Sequence, residues 1–140
     1  MIEFRKSSRA LVLTKENKIL FIKRIKIGQE PYYVTPGGGI EENENSLEAL
    51  KRELLEETGA VAGKYTDLGK LYPSPGYCGE IISMYLAENL SFENQNLDID
   101  EFLDVVRIPL EKAVEMVLNN EIPDSKTQTA ILKAHLLKNK

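Results

Sequence analysis

The chain is poor in several residue types, and each scarcity excludes something. Cys78 is the only cysteine in 140 residues, which rules out an internal disulfide and a multi-cysteine zinc site. A lone thiol of this kind is expected to be buried, behaving as a small apolar side chain. The one histidine, His135, falls among Ile131, Leu132, Leu136 and Leu137, so packing or solvent contact is expected of it rather than catalysis. No apolar run approaches the roughly 20 residues that cross a bilayer. The opening MIEFRKSSRA lacks the apolar centre of a signal peptide, and the expectation is a cytoplasmic protein without a membrane partner. Basic residues are not in excess: 18 Lys and Arg stand against 22 Asp and Glu, for a net charge of -4. Nucleic acid is therefore not an expected partner, because its binding needs a basic face to displace counterions from phosphates. A polyanionic substrate would need a metal to bridge it to such a chain. What remains, 42% hydrophobic and 29% charged, is ordinary globular composition and fits a single domain over 1–140.

The order of local patterns is legible along the chain. Ser8 to Leu13 and Lys18 to Arg24 are β-rich runs separated by the polar tetrad Thr14-Lys15-Glu16-Asn17, which predicts a hairpin. Tyr32 to Val34 is a short strand stopped by Pro36 and three glycines. The spacing then becomes helical, with Leu47, Leu50 and Leu54 on one face. Asn45 with Glu48 three positions on suits a capping box, and Gly59 suits a left-handed stop, which predicts a helix over Ser46 to Thr58. Strands are expected at Thr66 to Tyr72, Glu80 to Ala87 and Phe102 to Ile108, and helices at Leu110 to Leu118 and Ser125 to Lys138. The fold class is α/β, a mixed sheet with helices on its faces.

The predicted helix after the glycines crowds its acids. Glu53, Glu56 and Glu57 lie three and four positions apart and so project from one side, where like charges repel by some tenths of a kcal/mol per pair. A cation would remove the conflict, and carboxylate oxygens are the donors that hard Mg²⁺ or Mn²⁺ prefer. Arg52, four positions before Glu56, is placed to orient a carboxylate. Gly37, Gly38 and Gly39 let the backbone approach closely, so that a carbonyl there could join the coordination shell. A solvated acidic helix after a flexible turn is the alternative open at this point.

The full spacing goes further. Five residues separate Gly38 from Glu44 and seven more lead to Arg52-Glu53, then Leu54, Leu55, Glu56-Glu57, Thr58 and Gly59. This resembles the Nudix box, with Ala60 standing where a larger aliphatic residue is usual. The resemblance implies an α/β/α sandwich over nearly the whole chain and a divalent-metal-dependent hydrolase that cleaves nucleoside diphosphates linked to another moiety. It implies Glu53, Glu56 and Glu57 as metal ligands, the Gly37 carbonyl as a further one, and Arg52 as the residue orienting the carboxylates. Glu44 is either a more distant metal contact or a structural partner. In this family the general base often lies on a loop before a late strand. The corresponding window here is NLDIDEFLDVV, where Glu101 is preferred, with Asp100 and Asp98 behind it.

Substrate choice is carried elsewhere. Pro75 in LYPSPGYCGE, sixteen positions after Gly59, and the stretch Asp124-Ser125-Lys126-Thr127 resemble segments of ADP-ribose pyrophosphatases. Pro75, Tyr72 and Tyr77 are therefore expected at the substrate, the tyrosines walling the terminal ribose or stacking on adenine. The expected reaction is ADP-ribose to AMP and ribose 5-phosphate, with a homodimer implied by the family. Alternatives are a MutT-like hydrolase of oxidised nucleoside triphosphates, to which TPGGG is similar, a nucleotide-sensing module without catalysis, and an RNA-decapping or polyphosphate-processing enzyme.

Overall fold

The structure is a computed structural model that describes residues 5–25, 28, 30–92 and 104–140. Its elements are β1 (Arg5–Leu13), β2 (Lys18–Arg24), β3 (Tyr32–Val34), β4 (Gly37–Gly39), α1 (Ser46–Thr58), β5 (Ala60–Leu71), β6 (Glu80–Phe92), β7 (Val105–Pro109), α2 (Leu110–Leu118) and α3 (Ser125–Lys138). One mixed sheet carries the strands, with α1 on one face and α2 with α3 on the other, as the α/β reading expects.

Strand β1 is the axis of the sheet. It runs parallel to β6 from Arg5 opposite Glu80 to Val12 opposite Ala87. Its other edge is shared: near the hairpin, Val12 and Leu13 pair with Leu20 and Ile19 of β2, whereas Ser7, Ser8 and Arg9 pair with Gly39, Gly38 and Gly37 of β4. Beyond Leu20 strand β2 turns to β3, with Ile22, Lys23 and Arg24 opposite Val34, Tyr33 and Tyr32. The ladder between β1 and β2 thus opens into a fork that β3 and β4 fill. The glycines, expected only as a loop, form a paired strand. Without side chains they carry no β-propensity, so their pairing with β1 was invisible in the sequence.

The hairpin turn closes as expected, Thr14 N–H donating to the Lys18 carbonyl at 2.8 Å while Asn17 takes a φ of 64°. Helix α1 has the expected bounds. Asn45 accepts from Glu48 N–H at 2.8 Å and Glu48 answers on Asn45 N–H at 3.0 Å, a reciprocal cap of about 1 kcal/mol. Gly59 ends the helix at φ 73°. Strand β5 starts at Ala60, earlier than expected, and both β5 and β6 run on to pair Ala60 with Phe92. Small and charged residues in AVAGK hid the alternation that burial of Ala60 and Ala62 reveals.

The two core clusters follow strand alternation. Leu11, Leu13, Ile19, Phe21, Ile82 and Met84 face α2 and α3, while Ala10, Val12, Leu20 and Ala87 face α1 through Leu50 and Leu54. One local expectation needs correction. Cys78 is exposed, because it sits in the β5–β6 loop rather than on a strand. Helix α3 buries Thr127, Ala130, Ile131 and Ala134, leaving Leu136 and Leu137 exposed and His135 beside them at the end of the helix. Among the described residues no helix is long and apolar enough to cross a membrane.

Candidate active site

Helix α1 lies against β4, and the contact is possible only because β4 is glycine. A Cβ on Gly38 would stand 2.6 Å from the Glu53 carboxyl carbon. A Cβ on Gly37, at φ 148°, would stand 2.0 Å from the Ser8 carbonyl oxygen. The sheet thus closes Gly37 to a side chain, the Glu53 carboxylate occupies the space beside Gly38, and Gly39 is open. Ser8 fastens the other end of the contact, its hydroxyl donating to the Ser46 carbonyl at 2.6 Å.

Arg52 is the organiser of the acids. Its Nε and one terminal nitrogen donate to the two oxygens of Glu44 at 2.8 and 3.0 Å, a bidentate pair, while the other terminal nitrogen donates to Glu53 Oε1 at 2.9 Å. A further bond, 3.1 Å to the Gly39 carbonyl, ties it to β4. The guanidinium holds the Glu44 carboxyl down at about 2, and these carboxylates hold the Arg52 pKa above its usual value. Glu44 is thereby a structural partner of Arg52. Glu56, the carboxylate four positions after Arg52, is only an ion-pair neighbour at 3.6 Å rather than one that Arg52 orients.

The three acids of the box differ in setting. Glu53 and Glu57 each leave 19% of the side chain exposed, whereas Glu56 leaves 59%. Glu57 Oε1 accepts from Gly37 N–H at 2.8 Å, and Oε2 lies 3.5 Å from Arg24. Burial pushes the Glu57 pKa up, against the pull of the Gly37 hydrogen bond and the charges of Arg9 and Arg24. Glu56 and Glu57 line a cavity of about 320 Å³ with Ile22, Arg24, Asp104 and Val105. Glu53 stands off this cavity, held by Arg52. Among the described residues no three His, Cys, Asp or Glu side chains are drawn into one coordination shell. The donor set nonetheless suits a hard cation: the acids carry oxygen donors beside Gly37 and Gly38, where a Cβ would take up the space.

Three residues of the site were missed in the sequence. Asp104 is the last acid of the NLDIDEFLDVV window, and it lines the cavity from the start of β7, where its carbonyl accepts from Lys23 N–H at 2.8 Å. Glu101, Asp100 and Asp98 lie outside the described residues. Arg9 and Arg24 are 15 positions apart and carry no motif; only the fork between β1 and β2 brings both beside Glu57.

The substrate loop is a separate place. Tyr72 and Pro75 line a cavity of about 300 Å³ with Cys78, Glu80 and Ile81, while Tyr77 is 94% exposed and outside that lining. This cavity shares no lining residue with the carboxylate cavity. It shares Ile81 with a third, lined also by Lys6, Glu44, Asn45, Ser46 and Lys70.

A family model for the NUDIX domain matches residues 4–129. The chain belongs to the Nudix family. It is 40% identical over 124 residues to an ADP-ribose pyrophosphatase of Bacillus subtilis (strain 168), and 35% identical over 124 residues to a methanol dehydrogenase activator of Bacillus methanolicus. A GDP-mannose pyrophosphatase of Enterobacter sp. (strain 638) is 35% identical over 91 residues. These matches cover 86%, 86% and 63% of the chain, and 67%, 67% and 48% of the respective relatives. A crystal structure of an ADP compounds hydrolase superposes with a TM-score of 0.81 at 25% identity, covering 99% of this chain and 75% of that one. The sheet and its three helices are thus the Nudix fold. As a Nudix hydrolase the chain is built to cleave pyrophosphate bonds, with divalent metal as the family's general requirement.

Proposed function

We propose that this Nudix hydrolase cleaves ADP-ribose to AMP and ribose 5-phosphate, with Mg²⁺ or Mn²⁺ held by Glu53, Glu56 and Glu57 and the Gly37 carbonyl as a further ligand. The observation that carries the site is the placing of the box acids on a glycine strand beside Arg24. The observation that carries the substrate is the kinship to an ADP-ribose pyrophosphatase over most of the chain. The metal supplies charge neutralisation of the pyrophosphate and activation of the attacking water. Arg52 keeps Glu53 in place through its anchorage on Glu44 and Gly39. Arg24 faces the same cavity as Glu56 and Glu57 and offers a donor to a phosphate oxygen. Water adds to one phosphorus, the bridging P–O bond breaks, and the second phosphate leaves with the bridging oxygen. Glu101 is the proposed base; Asp104 is a further carboxylate beside the same cavity. Tyr72 and Pro75 are the proposed substrate contacts of the loop, and Tyr77, in solvent, takes part only if substrate draws it inward.

A panel of ADP-ribose, other nucleoside diphosphate sugars, dinucleoside polyphosphates and normal or oxidised guanine triphosphates, with products identified, tests this reading. ADP-ribose is expected to show the highest kcat/KM. A tenfold preference for GDP-mannose would move the assignment to the other group of relatives, and one for an oxidised guanine triphosphate to the MutT-like alternative. A cytoplasmic location and a homodimer belong to the same proposal. Fractionation of cells tests the location, and sedimentation tests the dimer.

A further inference from the structure

Arg24 also lines a further cavity, of about 200 Å³, together with Arg9, Tyr32, Val34, Asp124 and Lys126. Three of its six lining residues are cations, and they come from three separate elements: β1, β2 and α3. Asp124, the one acid, is already committed. Its carboxylate caps α3, accepting from Thr127 N–H at 3.2 Å and the Thr127 hydroxyl at 2.6 Å, and it takes Lys126 Nζ at 2.9 Å. Arg9 is under-committed. One terminal nitrogen donates to the Thr35 carbonyl at 2.9 Å, but Nε is buried and has no hydrogen-bond partner among the described residues. A buried Nε–H without an acceptor is costly.

The Asp124-Ser125-Lys126-Thr127 turn gives this arrangement its rigidity. The Thr127 hydroxyl accepts from Thr35 N–H at 3.3 Å, which joins the start of α3 to the segment that leads into β4. Lys126, held by Asp124, is therefore fixed relative to the glycine strand and to both arginines. Arg24 lines both this cavity and the carboxylate cavity.

We propose that Arg9, Arg24 and Lys126 form a metal-independent site for a phosphoryl group, the phosphate of the substrate that lies away from the carboxylates, and that Lys126 is a specificity-determining residue for phosphate-bearing ligands. This rests on the pyrophosphatase reading for its role in the reaction, but not for the binding itself. A phosphate would draw on the guanidinium donors of Arg9 and Arg24 and on Lys126, in competition with the Glu57 and Asp124 carboxylates that pair with Arg24 and Lys126.

The test is calorimetric titration of the full chain, in excess chelator, with inorganic phosphate, ribose 5-phosphate and AMP separately. At least one is expected to bind, and Lys126→Gln is expected to weaken that binding roughly tenfold or more, as loss of a charge-assisted contact does. Lys126→Arg should restore it, and Lys112→Gln, on the exposed face of α2, should leave it unchanged. The ligand that binds best tells whether the sugar phosphate or the nucleotide end occupies the site. Equal affinity in the wild-type chain and Lys126→Gln, or no binding of any of the three, overturns the proposal. Because no turnover is measured, a chain that binds phosphate through Lys126 yet leaves ADP-ribose intact would refute the substrate assignment and keep this site. Hydrolysis of ADP-ribose with Lys126-independent phosphate binding would do the reverse.

Discussion

The face of the sheet that carries α2 and α3 places large side chains on its strands, Leu11, Leu13, Ile19, Phe21, Leu68, Ile82, Met84 and Leu86, with alanines only on the helices. The face that carries α1 buries Ala10, Ala60, Ala62 and Ala87 from its strands, with Val12 and Leu20 the larger exceptions. Helix-to-sheet distance depends on the side chains between them, and the alanines facing Leu50 and Leu54 favour a short one, with Tyr65, Tyr85, Leu90 and Val105 partly buried around that contact. Only a close helix can lay Glu53 and Glu57 against the β4 backbone. The thick face supplies most of the apolar burial, and the thin one trades burial for reach. Stability and chemistry are thereby assigned to opposite sides of the same strands.

The comparison breaks most sharply at Glu57. Glu57→Gln should lower kcat by several orders of magnitude, because several kcal/mol of charge stabilisation depend on the ligand set. Its Tm should not fall, since the amide oxygen still accepts from Gly37 N–H and a partly buried charge is removed. A large drop in Tm would show that the thin face carries stability after all.

Phe21→Ala is the opposite experiment. It should cost about 3–5 kcal/mol in denaturant unfolding, the range for truncating a fully buried aromatic, while kcat per folded molecule stays near wild type. Activity lost in proportion to more than the unfolded fraction would couple the two faces.

Gly38→Ala sharpens the boundary between them. The new Cβ meets the Glu53 carboxylate, which can swing aside, so stability should change little while activity falls roughly ten- to hundredfold, as displaced metal partners usually cost. Unchanged kcat would mean that Glu53 need not lie against β4.

The smallest effect concerns acid. The Glu44 pKa is lowered to about 2 in the folded chain from an ordinary 4.5, so its pairing with Arg52 stabilises fully above the ordinary value and is lost as pH falls towards the folded one. The Tm difference between the wild-type chain and Glu44→Gln should therefore be level at neutral pH and close between pH 4.5 and about 2. A difference that persists unchanged at the acid end would contradict the pairing.

What could be read without the structure was local. The α1 bounds, both caps, the hairpin and the order of strands and helices each depend on residues within a few positions of one another, where turn and cap chemistry are strong. Half of the candidate site was legible for the same reason, since the box acids and Arg52 lie within one helix. The other half was not. Arg9 and Asp104 stand 95 positions apart; Arg9 lies in no pattern that marks it, and Asp104 is one of four acids in its window with nothing local to single it out.

By itself the sequence determined the element order, the capped acidic helix and the family, because these rest on short-range spacing. The tertiary structure alone decided that the three glycines are a strand, that Glu44 rather than Glu56 is the main anchor of Arg52, and that Cys78 faces solvent. It also decided that Arg9, Arg24 and Lys126 converge. The physical reason is the fork between β1 and β2: once β2 leaves β1 for β3, β4 must fill the open edge. Strand pairing of this kind depends on backbone groups far apart in the chain, and no residue type announces it in advance.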